Sequence, residues 1–513
     1  MNLRQWRWLV VCSLAAAVGP LWSVIAWASS GDAIADAITE MDVARARELI
    51  DGERSSSPGM QFQQARLAVY MSDFDTAEAV LRTLPTSPAV SSLADLAKNS
   101  ARATAGGLVI EDQSQGVWLR LQDDVDRVLV PRIVEVATQA RAMIARDLGV
   151  ELPRPLRIEL VNDLFSLSAI SGLPLEAAET TGTVAVARWG RITMLSPRAA
   201  PRGYPWEDTL AHEITHLGLT RATRDLAPLW LQEGVAKLGE DRWRSERTFD
   251  DRTRADTVAR NALRTGSSVG VDALGPSIAM LPSADAASIA FAEVSSFMAF
   301  FIDKVGRPAF QLLLADLKGI GQKDPDHALR SVTGFGLQYW IAVWQGWLIE
   351  TPEAVQPEKT ASGPAPVPLN DPLGMGRRAR LGELFAEAER FRLAAQQFDA
   401  ALSYQPDHPG LRFDAARSWL LAGDDAKARN ALGTPRDISD LHGGWLALHG
   451  RFLADQGQAA SAREAFDLAM AVDPFAPEVA CEGQLRRRRG DPVQKLPANS
   501  VRREICSNLA GVD

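Results

Sequence analysis

Two imidazoles four residues apart, and a carboxylate 17 residues beyond the second, constrain this chain more than any other feature. The pentapeptide His212-Glu213-Ile214-Thr215-His216 lies within 206–219, a stretch of good helix formers that starts after Pro205. On a helix, positions i and i+4 share a face, so both imidazoles can reach one cation. Glu213 sits one position on, close enough to an open coordination site to take a proton there without ligating. A catalytic zinc takes three protein groups and keeps a position for water, so a third ligand is required. Glu233, in Trp230-Leu231-Gln232-Glu233-Gly234-Val235-Ala236, can supply it if the first helix ends and a second returns antiparallel. Taken alone, Glu233 reads as a solvated helix acid; the histidine pair gives it its meaning. Ala211 and Gly218 on the first helix, with Gly234 and Ala236 on the second, are expected to allow close packing.

The segment 107–350 around these residues reads as mixed α and β. Strands are expected at 117–121, 155–161, 183–188 and 191–195, the last two joined at Trp189-Gly190. A long amphipathic helix is expected over 123–148, and from Pro205 to about Leu348 the pattern is mostly helical. Tyr339, Trp340, Trp344 and Trp347 fall at helical spacing and read as a packing helix of this domain, not a ligand box.

The order His-Glu-x-x-His, a gap, then Trp-Leu-x-Glu-Gly-x-Ala resembles the gluzincin zinc peptidases, in particular the small peptidase MA-like domains. The likeness extends upstream to the strand pair at 182–195 and downstream to a closing helix at 291–306, about 240 residues in all. It implies a zincin-like α+β catalytic domain, a small mixed sheet plus zinc-binding helices. It further implies one zinc ion held by His212, His216 and Glu233, and Glu213 as general base and proton shuttle. The implied reaction is peptide-bond hydrolysis on a peptide or protein substrate, whose backbone would pair with an edge strand from 183–195. Two departures matter. No counterpart exists of the Gly-Ala-Met-Glu-Asn segment by which related aminopeptidases hold a free amine. Phe291 stands where similar domains often carry tyrosine, and a phenyl ring cannot donate to an oxyanion, a contribution of about 3 kcal/mol. Tyr204 and Arg188 are substitute donors to consider, against a plain packing or surface role. A catalytically dead or structural peptidase-like domain therefore stands as the alternative reading.

Flanking this domain are helical repeats. Ala394, Phe398, Ala401 and Pro406 recur as Ala462, Phe466, Ala469 and Pro474, 68 residues later, with Ala428 and Leu432 in the middle register. Gly382 and Gly450 precede their alanines by the same 12 residues. Two periods of 34 with this small–aromatic–small ending resemble three tetratricopeptide repeats over 375–476. A weaker version, with Ala44 and Ala77 in register and a turn at 73–75, marks 29–104 as degenerate tetratricopeptide-like helices. The repeats offer either a spacer or a surface for a protein partner. A proline-rich linker at 351–374 separates them from the catalytic segment, and 477–513 forms a C-terminal tail.

Compartment follows from the first 28 residues. Arg4 and Arg7 precede an apolar run from 8 to 27, broken at Gly19-Pro20 and followed by Ala26-Trp27-Ala28. This is an export signal with a cleavage site, or a retained anchor, and either puts the rest of the chain in a periplasmic or extracellular space. Cys481 and Cys506 would then be the two cysteines beyond that segment, an even pair that permits one disulfide. A formal charge of −9 argues against nucleic-acid binding. The four arginines at 486–489 read as a solvated tail, and His327, His408, His442 and His449 lack partners at ligand spacing.

Overall fold

The computed structural model describes residues 30–53, 57–199, 204–244, 255–275, 277–278, 281–319, 324–350, 374–404, 406, 408–433 and 442–481. These form a mostly helical protein with one small mixed sheet, in two compact units. Among the described residues the first unit holds 30–196, 207–244 and 255–350, and the second holds 197–199, 204–206 and 374–481.

The first unit opens with five helices, α1 (Ser30–Thr39), α2 (Val43–Gly52), α3 (Pro58–Tyr70), α4 (Phe74–Leu81) and α5 (Pro88–Thr104). Their starts follow local chemistry. Asp42, Ser57, Asp73 and Ser87 each accept a hydrogen bond from the backbone N–H three residues on, and Pro58 and Pro88 occupy first-turn positions where no N–H is needed.

The sheet comes next, with β1 (Leu108–Asp112), β2 (Val117–Leu121), a 3-10 turn at Asp124–Leu129, α6 (Val130–Leu148), β3 (Leu156–Val161), α7 (Leu164–Ser171), α8 (Leu175–Thr181), β4 (Ala185–Arg188) and β5 (Arg191–Leu195). Strand order is β1-β2-β3-β5-β4. The middle three strands are parallel and almost wholly buried, while β1 and β4 are antiparallel edges. Trp189 and Gly190 turn β4 into β5 with φ of 57° and 68°, the left-handed pair that a two-residue hairpin needs. A side chain at Gly190 would meet the Tyr70 ring at 2.6 Å, so α3 seats this hairpin closely. The buried Arg191 ties the same parts together. Its guanidinium donates to the carbonyls of Val69 (2.7 Å) and Ile170 (3.0 Å) and lies 3.5 Å from Glu159.

The remainder of this unit is α9 (Trp206–Thr223, all but its first residue), α10 (Leu229–Arg242), α11 (Ala255–Thr265), α12 (Ala284–Val305), α13 (Arg307–Gly319), α14 (Pro325–Thr333) and α15 (Leu337–Glu350). Helix α12 is long and apolar enough to cross a membrane, but it serves as a core helix here. Its Phe297 packs edge-on against Trp230 and Trp344, and its Phe301 against Trp340. The tryptophans of α15 are thus packing residues, and the Trp344 indole N–H donates to Ser296.

The second unit contains three helix pairs, α16 (Gly374–Glu387) with α17 (Phe391–Leu402), α18 (Pro409–Leu421) with α19 (Asp425–Leu432), and α20 (Gly443–Asp455) with α21 (Ala459–Val472). The recurring alanines Ala394, Ala401, Ala428, Ala462 and Ala469 are all buried. A Cβ on Gly382 would meet the Phe398 ring at 2.7 Å, and one on Gly450 would meet the Ala462 carbonyl at 3.0 Å. His408 and His442, to which the sequence assigns no role, cap α18 and α20; each Nδ1 accepts from a backbone N–H at 3.1 Å. After the short helix Pro477–Ala480, Cys481 is disulfide-bonded; Cys506, the export segment, the proline-rich linker and the four-arginine run lie outside the described residues.

Candidate metal centre

Helix α9 carries the histidine pair, and its first turn is held firmly. Glu207 receives a two-pronged bond from Arg132 on α6, at 2.8 and 2.7 Å. Asp208 accepts from the indole of Trp243 (3.0 Å) and from Arg244. Both acids also suit the positive end of the helix dipole. Pro228, extended at φ −67° and ψ 156°, precedes the first residue of α10, so five residues separate the returning helix from the end of α9.

The glycines expected to bring these two helices together act elsewhere. Gly218 faces Ile144 on α6, and Gly234 faces α12, where a Cβ would lie 2.6 Å from the Val294 carbonyl. The close approach between α9 and α10 is made by Gly239, whose missing side chain leaves room for the Thr215 hydroxyl.

His212, His216 and Glu233 converge, all buried. Among the described residues they are the one group of three or more His, Cys, Asp and Glu side chains placed to hold a single ion. The two Nε2 atoms are 3.0 Å apart, and one Glu233 oxygen stands 3.7 and 3.8 Å from them. A point equidistant from these three atoms lies about 2 Å from each, the length of zinc bonds to imidazole nitrogen and carboxylate oxygen. That Glu233 oxygen is buried and accepts no hydrogen bond within the protein, which is costly for a carboxylate unless a cation compensates it. Glu213 is fully buried on the same helix turn.

One participant was not legible in the sequence. Glu240, near the end of α10, accepts from Nδ1 of His212 at 2.8 Å, and the ammonium of Lys237 lies 2.8 Å from both Glu240 oxygens. Such an acceptor behind a ligating imidazole fixes its tautomer and leaves Nε2 to the metal. The charges polarise one another. Burial opposes ionisation of Glu240, but Lys237 and His212 outweigh it and hold the carboxyl down at about 2. Burial likewise disfavours a charged His212, yet Glu233 and Glu240 raise it to about 9. His216 goes the other way, pushed well below the usual range by burial and by the neighbouring His212. Glu233 is raised, by burial first.

Phe291, on α12, is buried with the Lys237 ammonium 5.5 Å from its ring centre. Arg188 donates to the Ser171 carbonyl at 3.3 Å and lies 4.8 Å from the ring of Trp189. Tyr204 is buried in the second unit, where its backbone N–H donates to Val472.

Residues 136–350 match the family model of the Peptidase MA superfamily. The match supports a metallopeptidase-like domain over that span, from within α6 to the end of α15. No curated protein and no solved structure matches the chain.

Proposed function

We propose that this chain is an exported zinc-dependent peptidase of gluzincin type. The observation that carries the reading is the triangle of two imidazole nitrogens and one carboxylate oxygen, with its equidistant point at a zinc bond length. His212, His216 and Glu233 would hold the ion. Bound zinc supplies a Lewis acid for the scissile carbonyl and lowers the pKa of water. Glu213, beside the ligands on α9, takes the proton of the attacking water on its carboxylate and delivers it to the leaving amine. Glu240 keeps the His212 proton on Nδ1 throughout.

Edge strand β4 hydrogen-bonds to β5 on one side, so its other side can accept a substrate backbone as an added strand. The helix pairs of the second unit are read as tetratricopeptide-like repeats that recruit a protein partner or substrate. Export is supported by the basic–apolar–small order of residues 1–28 and by the disulfide at Cys481, a bond of oxidising compartments.

Phe291 favours a second reading, a zinc-binding but catalytically silent domain, because it removes one hydroxyl donor. Metal analysis and a peptide-library digest of purified protein decide between them. One zinc per chain, with cleavage abolished in Glu213→Gln, supports the peptidase. One zinc and no cleavage across the library supports the silent domain, and no zinc at all overturns both.

A further inference from the structure

We infer that Lys237 is a positioning residue of the metal centre, acting through Glu240 to hold His212 in its ligating orientation. The inference rests on the zinc reading above and goes beyond it, since neither Lys237 nor Glu240 belongs to the ligand set.

Helix α10 places Glu233, Lys237 and Glu240 at i, i+4 and i+7, on one face. The first is the ligand and the last is the acceptor behind a ligand on another helix; the lysine between them bridges the two roles. Its ammonium contacts both oxygens of Glu240 at 2.8 Å, so the carboxylate cannot swing about its terminal bond. One of those oxygens is the acceptor for Nδ1 of His212, again at 2.8 Å. With Nδ1 committed as donor, Nε2 faces Nε2 of His216 and the carboxylate of Glu233. An exposed Glu–Lys pair on a helix contributes only a few tenths of a kcal/mol. Glu240 is different, because it is only 7% exposed and must serve as an ionised acceptor where burial opposes its charge. Lys237 is the cation in contact with it. Second-sphere groups of this kind tune metal affinity by about 10–100-fold. The rival explanation is packing alone, since the same ammonium lies over Phe291.

A double-mutant cycle on zinc affinity separates these explanations. Full-length, metal-depleted protein is titrated with zinc against a chromophoric chelator, and cobalt(II) spectra are recorded alongside. Lys237→Met is expected to weaken zinc about 10–100-fold and to shift the cobalt d–d bands, while Lys237→Arg stays within about threefold of wild type. In a Glu240→Gln background the further effect of Lys237→Met should shrink to about twofold or less. If Lys237→Met does not fold, Lys237→Gln, which keeps a donor without the charge, takes its place in the cycle. Wild-type affinity in the single variant overturns the inference. An equal loss in both backgrounds also overturns it, because the lysine would then act by packing on Phe291. Wild-type protein that takes up no zinc overturns the underlying zinc reading itself.

Discussion

The α9–α10 hairpin and the helix pairs of the second unit use the same device for opposite ends. Both bring helices close by omitting side chains. In the second unit the space left by Gly382 and Gly450 is filled by the rings of Phe398 and Phe466, and the interior is apolar. In the hairpin, Gly234 and Gly239 let α10 settle against Val294 and Thr215, and the interior then holds His212, Glu213, His216, Glu233 and Glu240. Close packing around rings stabilises directly. Close packing around like charges stabilises only when something else compensates them, and this sets the hairpin apart from the helix pairs.

The sharpest way to break this contrast is Glu213→Gln, which preserves shape and removes the proposed base. Peptide hydrolysis is expected to fall about 10³-fold, with zinc content unchanged. Undiminished turnover would strip the hairpin of its assigned chemistry. Next come two glycines. Gly234→Ala sets a Cβ 2.6 Å from the Val294 carbonyl, a backbone atom that cannot move aside, and should cost about 3 kcal/mol together with zinc affinity. Gly450→Ala meets its nearest atoms at 3.0–3.1 Å and should cost less than about 1 kcal/mol. Denaturation followed by segment-resolved hydrogen exchange measures both; equal costs would mean the two regions are packed alike.

Removing metal should divide the regions again. With zinc at about 100 times its Kd, chelation withdraws about 2.7 kcal/mol, and that loss should appear in exchange from α9 and α10 and not from α17 or α18. The smallest effect belongs to the second unit. His449 stacks on Trp445, and burial lowers its pKa below the usual 6.5. A depressed folded-state pKa gives stability that is complete above 6.5 and is lost as pH falls through the folded value. Protection of α20 and α21 against exchange should therefore weaken between pH 7 and pH 5. The loss should stay below about 1 kcal/mol, because solvent reaches part of the ring and screens its charge. His449→Gln should flatten that dependence, and an unchanged slope would assign it to other groups.

Much of the scaffold was legible because it is written in local periodicity. The strands at β2, β3, β4 and β5 lie in short apolar-patterned segments between turn residues, and α9 begins directly after Pro205. Strand β1 was missed. Its residues, Leu108–Asp112, are half exposed and carry two acids, so only the three apolar residues Leu108, Val109 and Ile110 mark it. Helices α7 and α8 were missed for a related reason. They are eight and seven residues long, too short for a helical period to stand out.

What the sequence determined by itself is the pairing of His212 with His216. Four residues of helix put both imidazoles on one face whatever surrounds them, just as a 34-residue recurrence makes helix pairs whatever they bind. What only the tertiary structure decided is the company that pair keeps. Glu240 behind His212 and Thr215 against Gly239 are meetings between residues of different elements. Local pattern encodes which face a residue occupies; only the packed chain sets which residue stands opposite, because that depends on how closely two helices approach and at what register.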